Sequence, residues 1–385
     1  MTKNPQTSSE EMRPEHDVTA AQSTALSDAV TVQEPGTVLA AMSGGVDSSV
    51  IAALLVEAGY EVTGVTMKLF GGACCSPKDA ADARGVCDTL GITHYVFDFS
   101  QDFGHQVIDR FCDSYLRGET PNPCIDCNRY IKFDALQQRR AQMGFDYMAT
   151  GHYVRREYDQ ASGRFVMKTA LDAGKDQSYV LYNLSQDSLA HSLFPLGGFR
   201  KDRVRVLAAE HGFANADKPE SQDICFVPDG DYRKFIHERT GRDFTPGDIV
   251  DEAGVKLGEH PGLANFTIGQ RKGLGVAAGH PLFVLAKNLD TNELVVGPAE
   301  SQGVSRLWAD EVNLIHLEDM RQPEKVQAKV NYRAQAVDAT AWIDDAGMLQ
   351  VVFDEPVRAC AQGQACVLYQ GDLVLGGGVI SGFAK

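Results

Sequence analysis

Residues 37–59 read TVLAAMSGGVDSSVIAALLVEAG. The apolar run Thr37–Met42 has the length and composition of a buried strand. It breaks at Ser43-Gly44-Gly45-Val46-Asp47-Ser48, and an apolar-periodic helix then runs to a stop at Gly59. A strand that empties into a glycine turn at a helix N-terminus is an anion site. The glycines let backbone N–H groups approach a phosphate, the serine hydroxyls add donors, and the helix dipole favours negative charge. No Gly-Lys-Ser/Thr follows at the spacing of a Walker loop.

The rhythm continues outward from this unit. Glu61–Met67 reads as a strand, Gly71–Cys75 as a glycine–cysteine loop and Asp79–Leu90 as a helix. Thr93–Phe99 is a further strand, Phe103–Leu116 a helix, and Phe145–Thr150 a strand closing on Gly151-His152; helical texture returns at Lys201–His211. Strands alternating with helices at this spacing predict a doubly wound parallel sheet, an α/β fold. Ligands in such sheets lie beyond the carboxyl ends of the strands, which gathers Ser43–Ser48, Met67 and Gly151 into one crevice. From about residue 228 the chain is richer in Gly and Pro. From about 306 it alternates at period two, in Lys325–Tyr332, Ala336–Ile343, Leu349–Phe353, Ala365–Tyr369 and Leu373–Ile380. That pattern predicts a small antiparallel barrel. The expected organisation is a disordered tail over 1–36, a catalytic domain over 37–227, a central domain over 228–305 and a C-terminal barrel over 306–385.

Composition fits a cytoplasmic enzyme of two or three domains, at ~150 residues per domain. No apolar run reaches the ~18 residues of a membrane span. Nine cysteines without a secretory leader argue for reduced, reactive or metal-binding thiols. The net charge of −16 argues mildly against nucleic acid but constrains non-specific binding more than it excludes a local basic patch. Residues 1–35, rich in Ser, Thr, Gln and Glu, contribute to that charge and lack apolar periodicity, as a disordered tail does.

Two further segments carry chemistry. Thr120-Pro121-Asn122-Pro123-Cys124-Ile125-Asp126-Cys127-Asn128 presents a Cys-x-x-Cys pair at the start of a helix, with Arg129 and Lys132 behind it. A helix N-terminus and neighbouring positive charge both favour a thiolate. A redox pair, half a zinc site and buried packing are all compatible with the pair alone, but no second Cys-x-x-Cys or Cys-x-x-His completes a zinc site. Ser221–Val227 holds a single cysteine, Cys225; read alone it is a core thiol, and beside a nucleotide loop and a second thiol segment it is a candidate sulfur carrier. Cys87 falls on the apolar face of its helix, and Cys74 and Cys75 read as loop thiols.

The Ser-Gly-Gly-x-Asp-Ser loop resembles the pyrophosphate loop of ATP pyrophosphatases, which split ATP between its α and β phosphates. From about Thr37 to Gly378 the chain resembles the tRNA-specific 2-thiouridylases. The likeness rests on Met42–Ser49, Thr120–Asn128 with Ile131-Lys132-Phe133, and Ala149–Tyr153. It rests also on Lys175–Tyr179, Asp223–Phe226, Gly269–Gly275 and Phe353–Val357. The resemblance implies that ATP, with Mg2+, binds across Ala41, Met42, Ser43, Gly44, Gly45, Val46, Asp47 and Ser48, with Met67 and Gly151 at the adenosine side. It implies adenylation of O2 of the wobble uridine of tRNA, followed by sulfur transfer. Cys225 would carry a persulfide from a cysteine desulfurase or sulfur-relay protein, and Cys127 would be the nucleophile, the two ending as a redox disulfide. Asn122, Pro123, Cys124, Lys175, Asp176, Gln177, Arg271, Lys272, Asn331 and Tyr332 fall at tRNA-contacting positions. Many members carry Asp where this chain has Cys124, so Cys124, Cys127 and Cys225 as ligands of a [4Fe-4S] cluster stand as an alternative. An amide-forming ATP-pyrophosphatase ligase would leave both thiol segments without work, and a catalytically silent RNA-binding module would leave the phosphate loop without work.

Overall fold

The computed structural model describes residues 35–70, 76–219, 224–227 and 229–385. Residues 1–34, where a disordered tail was expected, residues 71–75 with Cys74 and Cys75, residues 220–223 and residue 228 lie outside the described residues. Strands β1 (Thr37–Ala41), β2 (Glu61–Lys68), β3 (Thr93–Asp98), β4 (Tyr147–Ala149) and β7 (Ser192–Leu193) form one parallel sheet in the order β3-β2-β1-β4-β7. The side chains of β1 alternate between two cores, as a pleated strand covered on both faces requires. Val38 and Ala40 join Val50, Ile51 and Leu54 on one face, while Leu39 and Ala41 join Val65, Phe103 and Phe111 on the other.

Helix α1 (Val46–Glu57) follows β1 and is buried along nearly its whole first three turns. Its sequence is apolar on every side, so it sits inside the layer instead of presenting a polar face. Helix α2 (Pro77–Leu90) opens on a capping box in which Ser76 and Asp79 bond reciprocally, and it buries Cys87 as expected. Burial pushes the Cys87 thiol up to about 11, so it is an inert core group.

The hairpin β5 (Val154–Asp159) and β6 (Arg164–Thr169) has no counterpart in the alternation read from sequence. It leaves the parallel sheet and joins the C-terminal barrel, where Lys168 and Met167 pair with Leu373 and Val374. A central four-stranded sheet contains β8 (Gly247–Val250), β9 (Lys256–His260), β10 (Phe283–Asn288) and β11 (Glu293–Gly297). The barrel comprises β12 (Val304–Leu314), β13 (Glu324–Lys329), β14 (Val337–Ile343), β15 (Leu349–Val357), β16 (Ala365–Gln370) and β17 (Leu373–Ala384). It closes because β12 pairs with both β15 and β17, which removes exposed edges. Among the described residues no helix is long and apolar enough to cross a membrane.

Candidate active site

The sheet order puts the carboxyl ends of β1, β2 and β4 side by side, and with them Ala41–Ser48, Met67 and Gly151. Gly44 has φ +68°, and a Cβ there would stand 2.3 Å from the Asp79 carbonyl oxygen. Glycine is therefore required both by the turn and by the close approach of α2. Gly45 is the extended N-cap of α1, and its carbonyl accepts from the Ser48 and Ser49 hydroxyls at 3.0 Å. The Ser43 amide donates to Ser48 Oγ at 3.2 Å. The loop thus curls over the helix N-terminus with Val46, Asp47 and Ser48 in its first turn. Gly151 packs against it, since a Cβ there would lie 3.2 Å from Asp47 Cβ. Thr66 Oγ1 donates to the Met42 carbonyl and holds β2 against the loop.

Lys201, Asn215 and Lys218, which sequence reasoning missed, complete this crevice with Tyr153. Lys201 donates to both Asp47 carboxylate oxygens at 2.7 Å, and Tyr153 Oη donates to one of them at 2.7 Å. Asn215 Nδ2 and Lys218 Nζ both donate to the Gly44 carbonyl at 3.0 Å, and Lys218 also pairs with Asp79 and Asp82 at 2.7 Å. One signal was available: Lys201 opens the helix Lys201–Glu210, where a cation opposes the helix dipole. Both oxygens of the Asp47 carboxylate thus accept hydrogen bonds.

The thiol segment starts at Asn122, whose side chain accepts from the Cys124 amide at 3.1 Å as an N-cap, with Pro123 buried at the first helical position. Pro123–Asp126 is α-helical, and Cys127–Ala135 winds as a π-helix, a geometry frequent at functional sites. Cys124 is exposed; Cys127 and Cys225 are half-buried and border the same apolar core. Phe226 anchors the Cys225 segment edge-on to Phe103 and Phe111. The two cations that follow Cys127 each have a side-chain partner. Arg129 bonds Glu311 of the barrel, and Lys132 Nζ donates to Asn128 Oδ1 at 2.9 Å. Lys132 also faces His152 Nε2 at 3.4 Å, and the other ring nitrogen meets Thr150 Oγ1 at 2.8 Å. Burial, with Lys132 adding to it, holds His152 well below its usual value, so it is neutral at physiological pH. Behind the thiol turn, a cavity of about 310 Å³ is walled by Asn122, Asp126, Arg110, Tyr182 and Glu311.

Several expected tRNA contacts come together. Tyr332, exposed on the barrel, packs edge-on to buried Tyr179 at 6.0 Å. Burial raises the Tyr332 phenol above its ordinary value, with Asp176 and Cys124 near enough to add and Lys175 near enough to oppose. Cys124, Lys175, Asp176 and Tyr332 therefore share one neighbourhood. Asp176 is also a structural acceptor, taking the Ala170 amide at 2.9 Å and the Ser178 hydroxyl at 2.6 Å, and Gln177 Oε1 accepts the Tyr153 amide at 3.0 Å. Asn331 caps its own turn by accepting the Ala334 amide at 2.8 Å. Arg271 and Lys272 stand exposed in the central domain.

Among the described residues no group of three or more His, Cys, Asp and Glu side chains is arranged to hold a metal ion.

Comparison with known proteins matches three consecutive segments of the chain. Residues 36–229 match the family described as tRNA methyl transferase HUP domain, 233–298 its PRC-barrel domain, and 304–380 the aminomethyltransferase beta-barrel domain. Among solved structures, the U34-tRNA thiolase NcsA of Methanococcus maripaludis with its [4Fe-4S] cluster aligns with TM-score 0.37 at 19% identity, covering 57% of this chain and 73% of that one. The tRNA-specific 2-thiouridylase MnmA of Carboxydothermus hydrogenoformans is 49% identical over 353 residues, 89% of this chain and 97% of the relative. That of Moorella thermoacetica is 49% identical over 356 residues, 90% of this chain and the whole of the relative. With that identity carried through all three domains, the chain belongs to the tRNA-specific 2-thiouridylase family.

Proposed function

We propose that this protein is an ATP-dependent tRNA-uridine 2-sulfurtransferase acting on the wobble uridine. ATP lies across Ala41–Ser48 with Met67 and Gly151 beside the nucleoside, and Mg2+ bound with it would supply neutralising charge for the phosphates. Uridine O2 attacks the α-phosphorus, pyrophosphate leaves, and the poor leaving oxygen at C2 becomes part of AMP. Backbone amides of the loop and the N-terminus of α1 stabilise the phosphate charge that develops. The central domain and barrel hold tRNA, with Arg271 and Lys272 against phosphates and Cys124, Lys175, Asp176 and Tyr332 near the reacting base; Asn122, Pro123, Gln177 and Asn331 shape the same surface.

Sulfur enters as a persulfide on Cys225, delivered by a cysteine desulfurase or relay protein. The Cys127 thiolate attacks the inner sulfur of Cys225, the terminal sulfur departs as hydrosulfide and displaces AMP at C2, and a Cys127–Cys225 disulfide remains. An external dithiol then reduces it. This route uses Cys127 and Cys225 alone; the alternative keeps Cys124, Cys127 and Cys225 as ligands of an iron–sulfur cluster.

The observation that carries the reading is the 49% identity to 2-thiouridylases over nearly their full length. Pyrophosphate exchange and mass spectrometry of tRNA nucleosides test it. Cys127→Ala and Cys225→Ala should each abolish 2-thiouridine while tRNA-dependent pyrophosphate release continues. Thiolation surviving in either variant would refute the sulfur route, and exchange indifferent to tRNA would indicate a small-molecule ligase.

A further inference from the structure

Glu311 has a left-handed backbone at φ 45°, a strained conformation for a residue with a Cβ. It lies where β12 slips register against β17 between Asp310 and Asn313, so the bulge turns its carboxylate out of the ladder. That carboxylate meets Arg129 Nη1 and lies 3.7 Å from Arg110 Nη2. Arg110 Nε lies 3.7 Å from Asp126. Both guanidinium groups also cover the Tyr130 ring, at 5.0 and 5.1 Å. One barrel carboxylate therefore grips the two arginines that bracket Tyr130, in the helical turn that begins at Cys127.

We infer that Glu311 is a positioning residue for sulfur transfer, fixing the Cys127 turn against the barrel and pairing the Arg129 charge that stands two residues beyond the thiol. The inference rests on the reading of Cys127 as the reacting thiol. Arg129 stands two residues beyond Cys127, and a guanidinium released there would favour the thiolate while lowering its intrinsic nucleophilicity. The other charged or titratable groups facing this cluster are Asp126, Tyr130, Tyr182 and Asp310. Lys132 is tied to Asn128 and so does not replace Arg129. The backbone strain at Glu311 has an account in these terms: it aims a carboxylate from one domain at the thiol turn of another.

The test is Glu311→Asn, which tolerates the left-handed backbone and removes the charge. Iodoacetamide alkylation of Cys127, resolved by peptide mass spectrometry across pH, should show its midpoint lowered by about half a unit or more. The 2-thiouridine formed per pyrophosphate released should fall roughly tenfold, with exchange itself within about twofold and Glu311→Asp restoring most of the loss. An unchanged alkylation midpoint, or wild-type thiolation, overturns the inference. Should Glu311→Asn not fold, Arg129→Gln leaves the β12 bulge intact; it should raise the midpoint, and a midpoint that stays put is equally fatal. Thiolation by Cys127→Ala would instead remove the reading beneath it, so the two failures are separable.

Discussion

Lys201 Nζ lies 2.7 Å from both carboxylate oxygens of Asp47 and is almost completely buried. An ammonium group is thereby fixed at the N-terminus of α1, beside the loop where pyrophosphate would separate. Asp47 holds it in place, so a residue of the phosphate-loop motif acts here through a partner 154 positions away. Lys201→Met should reduce pyrophosphate exchange by on the order of 100-fold and destabilise the fold by about 2 kcal/mol, because the Asp47 carboxylate loses its counter-charge. tRNA binding should persist. Exchange kinetics with thermal unfolding check this, and exchange near wild type would place Lys201 outside the chemistry.

Substitution at Gly44 cannot isolate phosphate binding. Its positive φ and the 2.3 Å approach to the Asp79 carbonyl make Gly44→Ala destabilising by about 2 kcal/mol or more. Gly45→Ala, where the nearest atom to the new Cβ is Ser43 Oγ at 3.4 Å, should cost only about 1 kcal/mol as an N-cap change. Its exchange rate should nevertheless drop sharply if backbone amides meet phosphate there. Comparing melting temperature with exchange for the two variants decides it.

Burial pushes the Asp126 carboxyl up to about 6 despite Arg110 beside it. The folded state therefore binds this proton more tightly than the unfolded chain. Its stabilising contribution is present below about pH 4 and is lost as pH rises through about 6. Asp126→Asn should accordingly stabilise the protein by up to about 3 kcal/mol at pH 7.5 and by almost nothing at pH 4. Thermal unfolding across that range gives the answer, and a difference independent of pH would contradict it.

Cys124 is exposed, and its amide is capped by Asn122 at 3.1 Å. An aspartate fits the first turn of that helix electrostatically. Cys124→Asp should keep 2-thiouridine formation within about threefold of wild type, because the proposed route needs only Cys127 and Cys225. Loss of product in an enzyme that still releases pyrophosphate would bring Cys124 into the reaction.

Deleting residues 1–34 should leave thiolation within about twofold, since their composition buries too little apolar surface to offset ordering entropy. A large fall in activity with unchanged melting would show that the segment contacts tRNA or a partner.

The β1 strand, its loop and α1 were legible because strand period, glycine turn and helix stop all lie within 23 consecutive residues. The period-two runs of the barrel were legible for the same local reason. The hairpin β5–β6 was not, because its place is set by pairing with β17, far along the chain. Lys201, Asn215 and Lys218 escaped likewise, since single polar residues carry no periodicity and declare themselves only when folding brings them to Asp47 and Gly44. Arg129 was legible as a charge beside Cys127, but its ion pair with Glu311 was not, because no local pattern marks that partner 182 positions away.

The pairing of Leu373 with Lys168 has a bearing on biosynthesis. As the chain leaves the ribosome, the outer edge of β6 must wait for about 200 further residues, or roughly 10–40 s at ordinary elongation rates, before its partner strand exists. Until then a hairpin with a bare edge projects from a nearly finished sheet, the kind of template that recruits foreign strands. Arrested or truncated chains lacking β17 would keep that edge open indefinitely, so synthesis of β17 is the event that closes the edge of the nascent protein to aggregation.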